Sequence, residues 1–190
     1  MKIQIIGLGG CGSYFADRIS QLHPQLKSNC VAIDSNSSSI GKLHHIKKKI
    51  LIGKGESALG VYDYGLMLAI MYGSKIKKAI NSNKLVIITG CGGTGFGVIW
   101  YILKEIIRQQ NVNFIFVYPL KCEGIRRIEK AKKLIRLIKS KPNIKLFIID
   151  SNEFLKYWSK KTKMKAVFDK IDDTIINKVI NCYYKRGEDE

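Results

Sequence analysis

Apolar residues cluster in five short continuous runs, at 3–6, 30–33, 85–89, 114–118 and 145–149. Half-buried antiparallel strands alternate apolar and polar positions. These runs do not, which is the pattern of parallel strands covered on both faces. Stretches with helical spacing lie between them, at 13–23, at 98–109, from Ile125 onward and at about 165–184. In the segment after Gly124, Ile125, Ile128, Ala131, Ile135 and Ile138 fall on one stripe, and Arg and Lys fill the opposite face. Alternation of this kind predicts an α/β fold: a Rossmann-like, doubly wound and mainly parallel sheet. With no internal linker or repeat, residues 1–184 read as one domain, followed by a polar tail at 185–190.

Two glycine-rich turns sharpen this picture. "GLGGCGS" at 7–13 follows the first apolar run, and "GCGGTGFG" at 90–97 follows the third. Glycine is costly in ordered structure, so such density marks backbone that bends sharply or approaches something closely. A turn between a strand and a helix leaves free N–H groups pointing at open space near the positive end of the helix, a setting that suits phosphate. The first turn alone is compatible with dinucleotide-binding proteins and with adenylating enzymes of the ubiquitin-activating type, and Asp34 would serve as the acidic residue after the second strand. A second turn on another strand points instead to a triphosphate held along its length. Neither turn contains the GxxxxGK[ST] of a P-loop.

Charge and cysteines add less. The 190 residues carry a net charge of +18, and residues 104–165 hold 17 Lys/Arg against 5 Asp/Glu. Such a field attracts nucleic acid, an anionic membrane or an acidic protein, or is simply a solvated lysine-rich surface. Five cysteines without a CxxC pair are expected to be reduced thiols. Three of them, Cys11, Cys91 and Cys122, fall in loops expected around phosphate, either as small-residue fillers or as a metal or redox site. With no run of eighteen apolar residues and no secretory signal at the start, a cytoplasmic protein is expected.

The motifs together resemble the tubulin/FtsZ family. Its small-Gly-Gly-Thr-Gly-small-Gly loop is similar to Cys91-Gly92-Gly93-Thr94-Gly95-Phe96-Gly97, with departures at Cys91 and Phe96. Its Pro-Phe-x-Phe-Glu-Gly segment with following basic residues resembles Pro119-Leu120-Lys121-Cys122-Glu123-Gly124-Ile125-Arg126-Arg127. "VFDKIDDTI" at 167–175 resembles the region that holds the guanine. The resemblance implies GTP or GDP as ligand, with Mg2+. Gly9, Gly10, Cys11 and Gly12 would form one phosphate loop, and Gly92, Gly93, Thr94 and Gly95 the other. Glu123 would accept from the ribose hydroxyls, with Arg127 near ribose or phosphate. Phe168 would stack on the base, and Asp172 would accept from the two donors of the guanine edge, which adenine lacks. Asp34 and Tyr14 stand where many FtsZ proteins have Asn.

In that family a second domain follows, and its Asn-x-Asp-x-x-Asp loop completes GTP hydrolysis in the next subunit. The sequence contains no such motif. The expectation is a minimal GTP-binding domain with slow turnover by itself, acting as a cytoskeletal switch or as partner to itself or to a full-length relative. The competing expectation is a nucleotide-free module that binds nucleic acid or anionic membrane through the basic helix after Gly124.

Overall fold

The structure, a computed structural model, describes residues 3–107, 111–157 and 164–184. In chain order its elements are β1 (Gln4–Leu8), α1 (Gly9–Leu22), β2 (Cys30–Asp34), α2 (Ser37–Gly41), β3 (Lys48–Leu51), α3 (Tyr62–Met71) and α4 (Gly73–Ala79). There follow β4 (Lys84–Thr89), α5 (Gly93–Tyr101), β5 (Asn111–Tyr118), α6 (Ile125–Lys139), β6 (Ile144–Asp150), α7 (Ser151–Phe154) and α8 (Met164–Tyr184). The six strands form one sheet in the order β3-β2-β1-β4-β5-β6, and every pairing is parallel. All five sequence-predicted strands are present, and β3 is an additional one at an edge.

Continuous apolar strands make sense here because each feeds two cores. From β1 and β4, Ile6, Leu8, Leu85 and Ile87 point into one cluster, packed by α3, α4, α5 and α6. Their neighbours Ile5, Val86 and Ile88 point into the other, packed by α1 and α8 through Phe15, Ile19, Ile171 and Ile175. The result is three layers, helices on sheet on helices.

Two helices begin earlier than their sequence predicts. The first starts at Gly9 rather than Ser13, and the fifth at Gly93 rather than Val98. Most of each glycine turn is therefore the first turn of a helix. Burial of α1 and α5 against the sheet outweighs the poor helix propensity of glycine, about 1 kcal/mol per residue. The stripe of α6 is also rotated: Ala131, Leu134 and Ile138 are buried, whereas Ile125 is exposed.

The strand order reverses between β1 and β4, since β1 leads outward to β2 and β4 leads the other way to β5. In open parallel sheets the crevice at such a switch point, beyond the carboxyl ends of the strands, is where ligands sit. Both glycine turns leave the sheet there.

Candidate functional site

The glycines of the two turns divide into two groups. Gly9 has φ +66, a left-handed conformation, and a Cβ on it would lie 2.9 Å from the Gly95 nitrogen. A Cβ on Gly12 would lie 2.1 Å from the carbonyl oxygen of Ile88, and one on Gly95 would be 2.7 Å from Thr89 Oγ1. These glycines let the turns lean on each other and let α1 lie flat on the sheet. Gly92 has open space around it, and Gly10 has only Asp34 Oδ2 and Ser39 Oγ nearby, both at 3.8 Å. Backbone at Gly10 and Gly92 is accordingly what the cavity between the turns presents.

That cavity, about 220 Å³, is lined by Gly9, Gly10, Gly92, Gly93, Thr94 and Gly95, with Asp34 and Arg127. A loop that the sequence did not single out, 57–60, closes one side, and Asn36 and Ser39 contribute from α2 and its start. Asn36 caps that helix, its side chain accepting from the N–H groups of Ser38 at 2.9 Å and Ser39 at 3.3 Å. An Asn followed by three serines is a helix-start signal that could have located this wall. Phe96, whose bulk departs from the usual small residue, points into the core and packs its ring 5.3 Å from that of Tyr62, away from the cavity.

Asp34 is 3 % exposed. Its Oδ1 accepts from the Ser35 N–H at 2.8 Å, while Oδ2 has no hydrogen-bond partner among the described residues. Beside it the hydroxyls of Ser35 and Thr94 share a 2.6 Å hydrogen bond. Burial raises the Asp34 carboxyl above the usual carboxylate range, against the Ser35 and Asn36 N–H groups and the Thr94 hydroxyl, which lies near the carboxyl without hydrogen-bond geometry to Oδ2. With the folded value raised, this group contributes its full stability below the unfolded carboxylate range and loses it as pH climbs through the folded value. Asp34→Asn is therefore expected to melt higher than the parent at pH 7, with the difference vanishing toward pH 4. Thermal melts across that range check this; an unchanged difference at all pH values would show that Asp34 is not strained by ionisation.

Further out, α6 and α8 contribute. Glu123 accepts from the Leu120 N–H at 2.8 Å through Oε1 and pairs with Arg127 through Oε2. Cys91 Sγ donates to the Arg127 carbonyl oxygen at 3.3 Å, tying the second turn to α6. On α8, Phe168 is 48 % exposed while its neighbours Val167 and Ile171 are buried. Phe168 thus serves no core, and one turn later on the same side comes Asp172. The Tyr14 hydroxyl donates to Asp172 Oδ2 at 2.6 Å, joining α1 to α8. Burial raises the Asp172 carboxyl, opposed by that hydrogen bond and by Arg18 and assisted by Asp169 and Asp173.

The sequence-predicted residues thus fall into two places. Gly9, Gly10, Gly92–Gly95, Asp34 and Arg127 line the cavity; Phe168 and Asp172 stand on α8, and Gly12 is buried beneath the first turn. Cys11 bridges the two places. Cys11 is exposed as a residue, but its sulfur lies against Gly90; desolvation there, then the Asp172 and Glu123 carboxylates, push the thiol up to about 12 against Arg127. Burial likewise pushes Cys91 up to about 11, against Arg127 and Lys130 and with help from Glu123. Thiols so far from ionisation are poor nucleophiles at neutral pH. Among the described residues no three His, Cys, Asp or Glu side chains are grouped to hold a metal ion by themselves.

The sheet order and the paired turns at its switch point define a doubly wound domain of the Rossmann-like class. Residues 2–160 match the family described as the Tubulin/FtsZ family, GTPase domain. The chain belongs to that family. It is 31 % identical over 197 aligned residues to the cell division protein FtsZ 2 of Pyrococcus furiosus, covering 94 % of this chain and 47 % of the relative. Among solved structures, the empty FtsZ dimer of M. jannaschii superposes with a TM-score of 0.78 at 26 % identity, over 94 % of this chain and 53 % of that one. CetZ1 from Haloferax volcanii, as a GDP-bound monomer, shares the fold with a TM-score of 0.75 at 21 % identity, over 93 % of this chain and 58 % of that one. The chain therefore spans about half the length of its relatives. No helix among the described residues is long and apolar enough to cross a membrane.

Proposed function

We propose that this chain is a guanine-nucleotide-binding domain, formed by residues 1–184, that takes GTP or GDP across the switch point. The observation that carries this reading is the meeting of Gly9 with Gly95, which brings the two helix starts to one cavity with Gly10 and Gly92 bare toward it. In this reading the two turns receive the phosphates through backbone N–H groups and helix ends. Arg127 neutralises phosphate charge or meets the ribose beside Glu123. Phe168 supplies a face for the base, and Asp172, held by Tyr14, accepts from its N–H donors.

Asp34 fits Mg2+ better than it fits phosphate. Its unpartnered, buried oxygen is a hard donor beside two hydroxyls, and Mg2+ is commonly held by one or two carboxylates together with substrate phosphates. The ion would supply charge neutralisation between Asp34 and the phosphates. Competition titration with a fluorescent GTP, displaced by GTP, GDP and ATP with and without Mg2+, tests both points. Displacement by guanine nucleotides alone is expected, with Asp34→Asn abolishing most of the Mg2+ dependence. Absence of nucleotide binding at any Mg2+ concentration would remove the reading.

Hydrolysis follows from the same proposal. A polypeptide of these 190 residues is expected to turn GTP over slowly, and faster when a full-length FtsZ-like relative supplies acidic groups in trans. Release of phosphate at filament-like rates from this chain alone would refute that division of labour.

A further inference from the structure

Apart from Asp63 in its first turn, helix α3 is apolar on every side. Leu68 and Ala69 are in the core, yet on the outer side Ile70 is 61 % and Met71 67 % exposed, with Met67, Val61 and Leu59 also exposed. A helix apolar all round is normally covered all round, and exposed apolar patches of this kind mark interaction sites. Beside α3, Trp100 of α5 separates two hollows. One, about 360 Å³, has Tyr62, Phe96 and Leu137 in its walls and Arg126, Lys130 and Lys133 around it. The other, about 380 Å³, has Leu66, Ile70 and Tyr101 in its walls, with Lys104 at the edge. Each contains one acidic residue, Glu129 and Glu105 respectively. The cations are held over aromatic rings: Lys104 Nζ is 5.3 Å from the Trp100 centroid, and Lys130 Nζ is 5.0 Å from that of Tyr62 while donating to the Gly60 carbonyl at 3.0 Å. The face is thus an apolar, aromatic floor inside a mainly cationic rim.

We propose that this face is a docking groove for an amphipathic helix of another polypeptide, one with apolar residues along one side and Asp and Glu flanking them. The chemistry matches a helix-in-groove mode, in which side chains at i, i+3/i+4 and i+7 enter hollows in turn. A rim of Arg126, Lys130, Lys133 and Lys104 selects acidic flanks. A bilayer is flat and leaves the hollows unfilled. Nucleic acid satisfies the rim but offers nothing to Ile70 and Met71, and a second copy docking by this same face sets one cationic rim against the other. The proposal does not depend on nucleotide binding.

The probe is a synthetic peptide of Leu, Ala and Glu, about five helical turns long, with Leu at three- and four-residue spacing. Controls are its Lys-for-Glu counterpart, phosphatidylserine vesicles and duplex DNA. Saturable binding of the acidic peptide is expected, weakened at least tenfold by Ile70→Ser/Met71→Ser and, separately, by Arg126→Glu/Lys133→Glu. These side chains lie outside the core, so the fold is expected to survive, as far-UV circular dichroism would verify. No binding of the acidic peptide, equal binding of the basic one, or indifference to the Ile70/Met71 pair would overturn the proposal. So would vesicles or DNA outcompeting the peptide.

Discussion

Gly12→Ala is expected to prevent stable folding, although alanine is the better helix former. Gly12 lies inside α1, where alanine would gain about 1 kcal/mol in propensity. Against that, the new Cβ falls 2.1 Å from the Ile88 carbonyl oxygen and 3.1 Å from the Gly7 carbonyl carbon. These are backbone atoms of the two central strands and have no rotamer to change. Overpacking ordinarily costs about 1–3 kcal/mol, when side chains can shift; here α1 must lift from the sheet, so a cost above that range is expected. Domains of this size are stable by only about 5–15 kcal/mol. Gly92→Ala is the companion: nothing lies within 4 Å of that Cβ, so stability is expected to hold. The same methyl would stand in the cavity, and nucleotide affinity is expected to drop at least tenfold. Urea denaturation of both variants, with nucleotide titration of the second, separates a glycine needed by the fold from one needed by the ligand. Equal stability losses in the two would contradict the assignment.

Asp172→Ala is expected to weaken GTP about a hundredfold and to erase the preference for GTP over ATP. A hydrogen bond to a charged group contributes about 1.5–3 kcal/mol, and a guanine edge offers two donors to one carboxylate. Tyr14 occupies one lone pair of Asp172, leaving acceptor capacity for the base while fixing the side-chain orientation. Tyr14→Phe should therefore cost less than Asp172→Ala, about tenfold, and should retain selectivity. Titration with GTP, GDP, ATP and ITP, whose base lacks the exocyclic amine, reads each donor separately. If Asp172→Ala binds GTP as the parent does, the base is held elsewhere.

Much of this was legible in the sequence, for reasons that residues make plain. Strands buried on both faces leave unmistakable apolar runs, and glycines that touch backbone cannot be replaced by anything else. The edge strand β3 was not legible, because Lys48 and Lys49 give it a polar start; charge on an edge is how sheets avoid further pairing. Helix α3 escaped because a helix apolar on every side has no periodicity to detect. The link between Tyr14 and Asp172 spans 158 positions and exists only after α1 and α8 share a face. Asp34 was expected near the nucleotide, but its burial and unpartnered oxygen emerge only from packing. Glu123, for which a ribose role is expected, is also paired with Arg127, one helical turn on.

The order of the sheet has a consequence for how the chain is made. The central pairing joins residues 4–8 with residues 85–89, and the apolar side of α1 is covered by Val167, Ile171 and Ile175, from almost the other end. A ribosome adding about 5–20 residues per second needs roughly 8–30 seconds to span those 150 or so positions. Throughout that interval Phe15 and Ile19 have no permanent neighbour from α8. Pairings so distant in sequence form slowly in any case. The nascent chain is thus expected to leave that apolar side uncovered through most of its synthesis, and to become a folded domain late, when α8 closes over the first helix.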